Sequence, residues 1–293
     1  MRVFITGATG LIGSAVTAEL LSAGHTVTAL TRSDASAARA ESAGADILRG
    51  GLSDLEILRS GAEQADGVIH LAFSNDFSSP ETLARGIAEE SAALATLGAS
   101  LVGTGKPLVT VSGTPRVFGR ASTEDDPLPT DGPVGGRGVS VIRTLELASE
   151  DVRSSAVRLP RTVHNQGKGG FAEILTQSAR QAGIAGYPGD GAQRWPAVHA
   201  LDAAVLFRLA LEKAPAGSSW HAVADEGDTV RDIVAVIGRR LGLPVKSLPV
   251  EDFGPLGPVF AADQPASAAR TRAELGWEPT RPSLLADLEN IEP

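Results

Sequence analysis

The chain has 293 residues, 42% of them hydrophobic and 21% charged, with a formal net charge of -9. That length and apolar content suit one large domain or a domain plus a smaller lobe, and the acidic balance argues against a nucleic-acid or anionic-membrane partner. There is no cysteine, which excludes disulfides, thiolate metal sites and a cysteine nucleophile.

Residues 2–6 read as a strand, with no basic segment and no long apolar run ahead of it, so no signal peptide is expected. No apolar run reaches the length of a membrane span, and a soluble cytoplasmic protein is the expectation. Residues 11–22 read as a helix ended by Gly24, and 26–30 as a second strand. Residues 46–49 make a short third strand, with Asp54 as N-cap of the helix behind it. A fourth strand is expected at 67–72, a long alanine-rich helix at 80–102, a fifth strand at 108–112 and a sixth at 156–159. Strand–helix alternation of this kind predicts an α/β fold, a doubly wound parallel sheet with helices on both faces.

After about Pro160 glycine and proline become frequent, as in Gly167-Lys168-Gly169-Gly170 and Tyr187-Pro188-Gly189-Asp190-Gly191. Residues 198–213 read as a helix returning to the main sheet, 220–223 as a last strand, and 229–241 and 267–275 as helices. The pattern predicts a dinucleotide-binding domain of residues 1–160 and 199–224. A smaller C-terminal substrate lobe, 161–198 and 225–293, would close over the strands' carboxyl ends, where open parallel sheets bind ligands.

The strongest motif is Thr6-Gly7-Ala8-Thr9-Gly10-Leu11-Ile12-Gly13, set between the first strand and the first helix. Gly7 permits a tight turn, Gly10 lets the backbone approach a pyrophosphate, and Gly13 allows close helix–strand packing. The helix start beyond Thr9, at Leu11 and Ile12, offers free N–H groups and the positive end of the dipole. The second strand ends Leu30-Thr31-Arg32-Ser33, where a carboxylate for the ribose hydroxyls of NAD is expected. Arg32 instead suits the 2′-phosphate of NADP, with Ser33 adding a hydroxyl; Asp34 stands close enough in sequence to keep NAD open. The expected cofactor is NADP ahead of NAD, on a Rossmann-type sheet.

Together these segments resemble the extended short-chain dehydrogenase/reductase family, which includes the NAD-dependent epimerases and dehydratases. The resemblance runs from Thr6–Gly13 through His70-Leu71-Ala72, Val111-Ser112-Gly113-Thr114-Pro115-Arg116-Val117-Phe118-Gly119 and Arg158-Leu159-Pro160. It continues through Trp195-Pro196-Ala197-Val198-His199-Ala200-Leu201-Asp202 to Leu275-Gly276-Trp277-Glu278-Pro279. It implies that Leu52 lies near the adenine, that Leu71, Ala72 and Phe73 line the cofactor channel, and that Pro160 borders the nicotinamide. It also implies a substrate-binding hydroxyl at Thr114, with Ser112 nearer the cofactor.

The family's chemistry uses a Tyr-x-x-x-Lys pair on the next helix, where the tyrosine moves the proton that accompanies hydride transfer. Residues 138–146 contain neither residue, and the chain's one tyrosine is Tyr187. Three substitutes stand open. Arg143, near the expected lysine position, would hold the ribose or polarise a carbonyl, or be a helix-surface charge. His164 would do proton work near neutral pH, or be a hydrogen-bonded structural histidine. Tyr187 would face the substrate, or serve packing. His199 and Asp202 read as structural, one of them capping the returning helix, and five scattered histidines show no metal-ligand spacing. The expected activity is an NADP-dependent oxidoreductase acting on a carbonyl or alcohol of a small organic substrate. The alternatives are a non-catalytic NADP(H) sensor, as NmrA-like relatives are, and a nucleotide-sugar epimerase or dehydratase. A monomer, or a homodimer through helices at 80–102 and 139–150, is expected.

Overall fold

The computed structural model describes residues 1–74 and 76–292. Along the chain run β1 (Arg2–Thr6), α1 (Leu11–Ser22), β2 (Thr26–Thr31), α2 (Asp34–Ser42), β3 (Asp46–Arg49), α3 (Leu55–Gln64), β4 (Gly67–His70) and α4 (Pro80–Ala99). There follow β5 (Pro107–Gly113), α5 (Gly135–Glu146), β6 (Arg153–Leu159), β7 (Thr162–His164), α6 (Gly170–Ala182), β8 (Ala185–Pro188), β9 (Arg194–His199) and α7 (Ala200–Lys213). The chain closes with β10 (Ser218–His221), β11 (Asp225–Thr229), α8 (Val230–Leu241), β12 (Val245–Leu248), α9 (Gly257–Phe260), α10 (Ala269–Leu275) and α11 (Leu284–Asp287).

Seven strands form the main sheet in the order β10-β6-β5-β4-β1-β2-β3, every pairing parallel. The order reverses direction at β1, and all seven strands end on one edge of the sheet. Residues alternate between the two faces, as the two-residue period of a strand requires. Val3, Ile5, Val27, Ile69, Val109 and Val157 face α1 and α7, through Val16, Leu20, Phe207 and Leu211. Phe4, Val68 and Leu108 face α3 and α4, through Leu58 and Leu97. Burial on both faces explains why these strands read as nearly continuous apolar runs.

Two smaller sheets, β11-β9-β7 and β12-β8, stand outside the main one. They share a second core in which Trp195 and Phe260 are fully buried against Leu175, Ile233 and Leu284. The aromatic rings of Phe171, Trp195 and Phe260 meet with centroids 5.6–6.0 Å apart, so the core is held by edge and tilted ring contacts as well as buried area.

Several elements differ from the sequence expectation. β4 stops at His70 and α4 at Ala99. α2 carries no periodic apolar stripe and was not expected; its start is set by a reciprocal cap in which Ser33 and Ser36 each accept from the other's backbone N–H. Asp54 precedes α3 but does not cap it, because its carboxylate accepts from Gly51 N at 2.7 Å and closes the preceding turn instead. His199 is the cap of α7, its Nδ1 accepting from Leu201 N at 3.2 Å, whereas Asp202 accepts from Thr280 and Arg281 N and anchors the C-terminal segment. Among the described residues no helix is long and apolar enough to cross a membrane.

Candidate functional site

The glycine turn closes between β1 and α1. Gly7 has φ +76°, a left-handed conformation, and a Cβ there would meet Ala72 N at 2.8 Å, so side chain and conformation both require glycine. A Cβ on Gly13 would lie 1.9 Å from Gly7 O, so only glycine lets α1 sit this close to the turn. Gly10 is different: its φ is -75°, and a Cβ there would touch nothing nearer than Gly7 O at 3.7 Å. Gly10 is therefore required by neither conformation nor packing, which leaves the space in front of it as its reason.

That space is the start of α1. Gly10 is the N-cap, makes no side-chain cap, and no acidic residue occupies the first turn. α2 and α4, by contrast, both begin with serine caps. The first amides of α1 thus stay open for an anion, where the aligned peptide dipoles also favour negative charge. These features fit the diphosphate of a dinucleotide.

A cavity of about 650 Å³ extends from this turn across the ends of β1, β2 and β4. Gly7, Thr9 and Gly10 form one wall, Arg32 and Ser33 a second, and Leu52 with Leu71, Ala72 and Phe73 a third. The remaining expected cofactor residues, Leu11, Ile12, Gly13, Ser112 and Pro160, are not among those that line it. Leu11 reaches toward Gly169, Ile12 packs on the main core, and Pro160 is buried. Ser112 Oγ is enclosed without a partner among the described residues. Sequence reasoning missed Ser36, Arg39, Ser53, Ser74 and Glu89, which also line the cavity. The Ser33-x-x-Ser36 spacing was the one signal available for the helix that carries Ser36 and Arg39.

Ser33 lines the cavity, but its hydroxyl donates to Ser36 Oγ at 3.0 Å, so its proton is committed to the cap. Arg32 is exposed and makes no ion pair among the described residues. Asp34, the acid nearest in sequence, pairs with Arg49 at 2.6 Å.

His70 ends β4 fully buried. Thr6 Oγ1 accepts from Leu71 and Ala72 N, both at 3.3 Å, and lies 2.9 Å from His70 Nδ1. The Thr6 hydroxyl therefore donates to Nδ1, which places the ring hydrogen on Nε2, an atom enclosed without a partner among the described residues. Burial, and then the charge of Arg137, hold this histidine down to about 4, so it is neutral. Arg137 itself grips the buried Glu90 through two bonds of 2.7 and 2.8 Å and lies 3.9 Å over the Phe73 ring. It pins the Phe73 wall between α4 and α5.

At the end of β5, Thr114 is 4% exposed and its Oγ1 has no partner among the described residues. Its backbone is held on both sides: N donates to Leu159 O at 2.9 Å, and O accepts from Gln264 Nε2 at 2.7 Å. The three expected substitutes for the tyrosine lie elsewhere. Arg143 is exposed and lines a separate groove between α4 and α5, because the buried face of α5 carries Gly138, Val141 and Thr144. Arg137 is the arginine of α5 that reaches the cavity wall. His164 is 1% exposed on β7, its Nδ1 2.9 Å from Asp287, which also accepts from Gln166 and Gly167 N. Tyr187 is half-buried on β8 against the second core. None of the three lines the 650 Å³ cavity.

The NAD dependent epimerase/dehydratase family model matches residues 3–223, and the chain belongs to that family. A Saccharomyces cerevisiae protein of uncharacterized role is 44% identical, covering 98% of each chain. A 3-diazoavenalumate denitrifying reductase of Streptomyces is 29% identical over 97% of both chains. Among solved structures, the dTDP-glucose 4,6-dehydratase DesIV of Streptomyces venezuelae, with NAD bound, superposes with a TM-score of 0.79. It is 19% identical and covers 99% of this chain and 95% of its own.

Proposed function

We propose that this family member is an NADP(H)-dependent oxidoreductase that acts on a carbonyl or alcohol of a small organic substrate without the usual tyrosine and lysine. The carrying observation is the cavity at the carboxyl ends of the strands, where an uncapped helix start faces one wall and Arg32, rather than a carboxylate, follows β2. The kinship with a protein named as a reductase points the same way. Gly7, Gly10 and the first amides of α1 would hold the diphosphate, Leu52 the adenine, and Arg32 the ribose phosphate. When bound, the nicotinamide supplies or accepts hydride.

The chain's own part is position and charge. Phe73, pinned by Arg137 and Glu90, keeps one wall of the cleft in place. The Thr114 hydroxyl at the end of β5 is enclosed and without a partner among the described residues, so a substrate oxygen would meet it once the segment over it moves aside. A hydroxyl there stabilises charge developing on that oxygen but is too weak an acid to be the final proton source at neutral pH. With His164 committed to Asp287 and Tyr187 to packing, the proton comes from water. α5, GGRGVSVIRTLE, holds neither tyrosine nor lysine, and this favours a second reading, a sensor that binds NADP(H) without turning over substrate. Oxidation of NADPH against a panel of aldehydes, ketones and quinones separates the two. Turnover of any member supports the oxidoreductase; tight NADPH binding with no turnover across the panel supports the sensor.

A further inference from the structure

On the NADP(H) reading, we propose that Arg39 is a second specificity-determining residue, forming with Arg32 a two-arginine clamp for a phosphate on the 2′ carbon of the adenosine ribose. Arg32 follows β2 and Arg39 projects from the second turn of α2, and both line the same cavity with Ser36 between them. Ser36 and Arg39 are three residues apart, which puts them on one face of the helix. Both arginines are exposed, and among the described residues neither side chain makes a hydrogen bond or ion pair, so both guanidinium groups are available to a ligand.

The surrounding charges favour the same ligand. The carboxylate of Asp34 would repel a phosphate and suit a bare ribose diol, but Arg49 holds it at 2.6 Å. Asp54, which lines the cavity, is turned to Gly51 N, and Glu89 lines it from α4. Two free cations then face a group that carries nearly two negative charges, on a chain whose net charge is -9. A chain this acidic has little general attraction for a phosphate, so local placement has to supply it. Ser33 was the other candidate, but its hydroxyl proton is spent on Ser36 Oγ, and a phosphate oxygen needs donors. Arg39 supplies the donors that Ser33 withholds. A guanidinium can meet two phosphate oxygens at once, which a serine cannot.

The test uses 2′,5′-ADP and 5′-ADP, which differ only in the 2′-phosphate, titrated by calorimetry into the full chain, Arg39→Gln, Arg32→Gln and the double variant. Glutamine keeps helix propensity, and both sites are exposed, so folding is not at issue. The wild type is expected to prefer 2′,5′-ADP. Arg39→Gln should weaken that ligand by about tenfold, the scale of one charge-assisted contact, while 5′-ADP stays within about twofold. The double variant should bind both nucleotides alike, and the wild-type preference should shrink as salt rises. An unchanged preference in Arg39→Gln, with Arg32→Gln abolishing it, overturns the clamp and leaves the NADP(H) reading standing. Equal loss of both nucleotides in Arg39→Gln also overturns it, because Arg39 would then shape the cavity rather than read the phosphate. Equal affinity of the wild type for the two nucleotides sinks the NADP(H) reading itself.

Discussion

Two glycines of one turn should fail in opposite ways. A methyl group added at Gly13 would lie 1.9 Å from Gly7 O and 2.8 Å from Gly7 C, both backbone atoms of a turn already held by the Gly10 N–H on Gly7 O. Neither can give way without displacing α1 or the turn by more than the tolerance of a packed core. Overpacking of this kind costs about 1–3 kcal/mol and occasionally more. At about 3 kcal/mol a chain of this size melts roughly 6–12 °C lower. The same methyl at Gly10 meets nothing within 3.7 Å, in a conformation any residue adopts. The loss of a favoured N-cap and the gain from a stiffer unfolded chain nearly cancel, leaving stability within about 1 kcal/mol of the wild type. That methyl would be added at the N-cap of α1, the residue that adjoins its open amides. Losing two charge-assisted bonds from phosphate would weaken the dinucleotide by at least ~100-fold. Thermal melts and NADPH fluorescence titrations of Gly10→Ala and Gly13→Ala measure both effects. Undiminished NADPH affinity in Gly10→Ala would show that the turn is not the phosphate site. Wild-type melting of Gly13→Ala would refute the steric account of the turn.

Three further outcomes follow from enclosed polar groups. Thr114→Val removes a hydroxyl that has no partner among the described residues, so the free protein should melt no lower while turnover falls by roughly 10²–10³-fold, as for one lost oxyanion donor. A fall in stability with unchanged turnover would mean the hydroxyl serves the fold alone. Burial holds His70 near 4 in the folded chain against an ordinary 6.5, so the unfolded chain binds more protons between those values. That share of stability, roughly 3 kcal/mol, is fully present above pH 6.5 and is lost as pH falls toward 4. Urea midpoints of His70→Asn should therefore depend less on pH across that window than those of the wild type, and an unaltered slope would count against it. Asp228 has the opposite sign: burial, then Asp225 and Asp232, push it up to about 6, and its Oδ2 is enclosed without a partner among the described residues. Its ionised form destabilises the fold above pH 6, and the strain is relieved as pH falls toward 3.8. Asp228→Asn should raise the melting temperature at pH 8 and lose that advantage near pH 4.

The order of strands and helices was legible in the sequence because each element declares itself locally. Apolar runs marked β1, β4 and β5, and three glycines between a strand and a helix marked the turn. The lack of tyrosine and lysine in α5 was equally plain. α2 was hidden, because DASAARAES has almost no apolar stripe and its stability rests on a two-serine cap and on Ala37 and Ala40 meeting the core. With α2 unseen, Arg39 had no reason to be placed beside Arg32.

What only the tertiary structure decided was which polar groups meet across long stretches of chain. His164 lies 123 residues from Asp287, and Thr114 lies 150 from Gln264. No local spacing encodes such pairs; they form because β7 and the end of β5 are brought against segments that the chain reaches last. Rotation about a helix is the other hidden variable. Arg137 and Arg143 are six residues apart on α5, and nothing in their identity distinguishes them. The burial of Val141 and Thr144, with Gly138 close against the Pro129 backbone, sends Arg143 outward and leaves Arg137 to close on Glu90 and Phe73. A charged residue's role depends on the direction its helix faces, and that direction is set by the packing of its apolar neighbours.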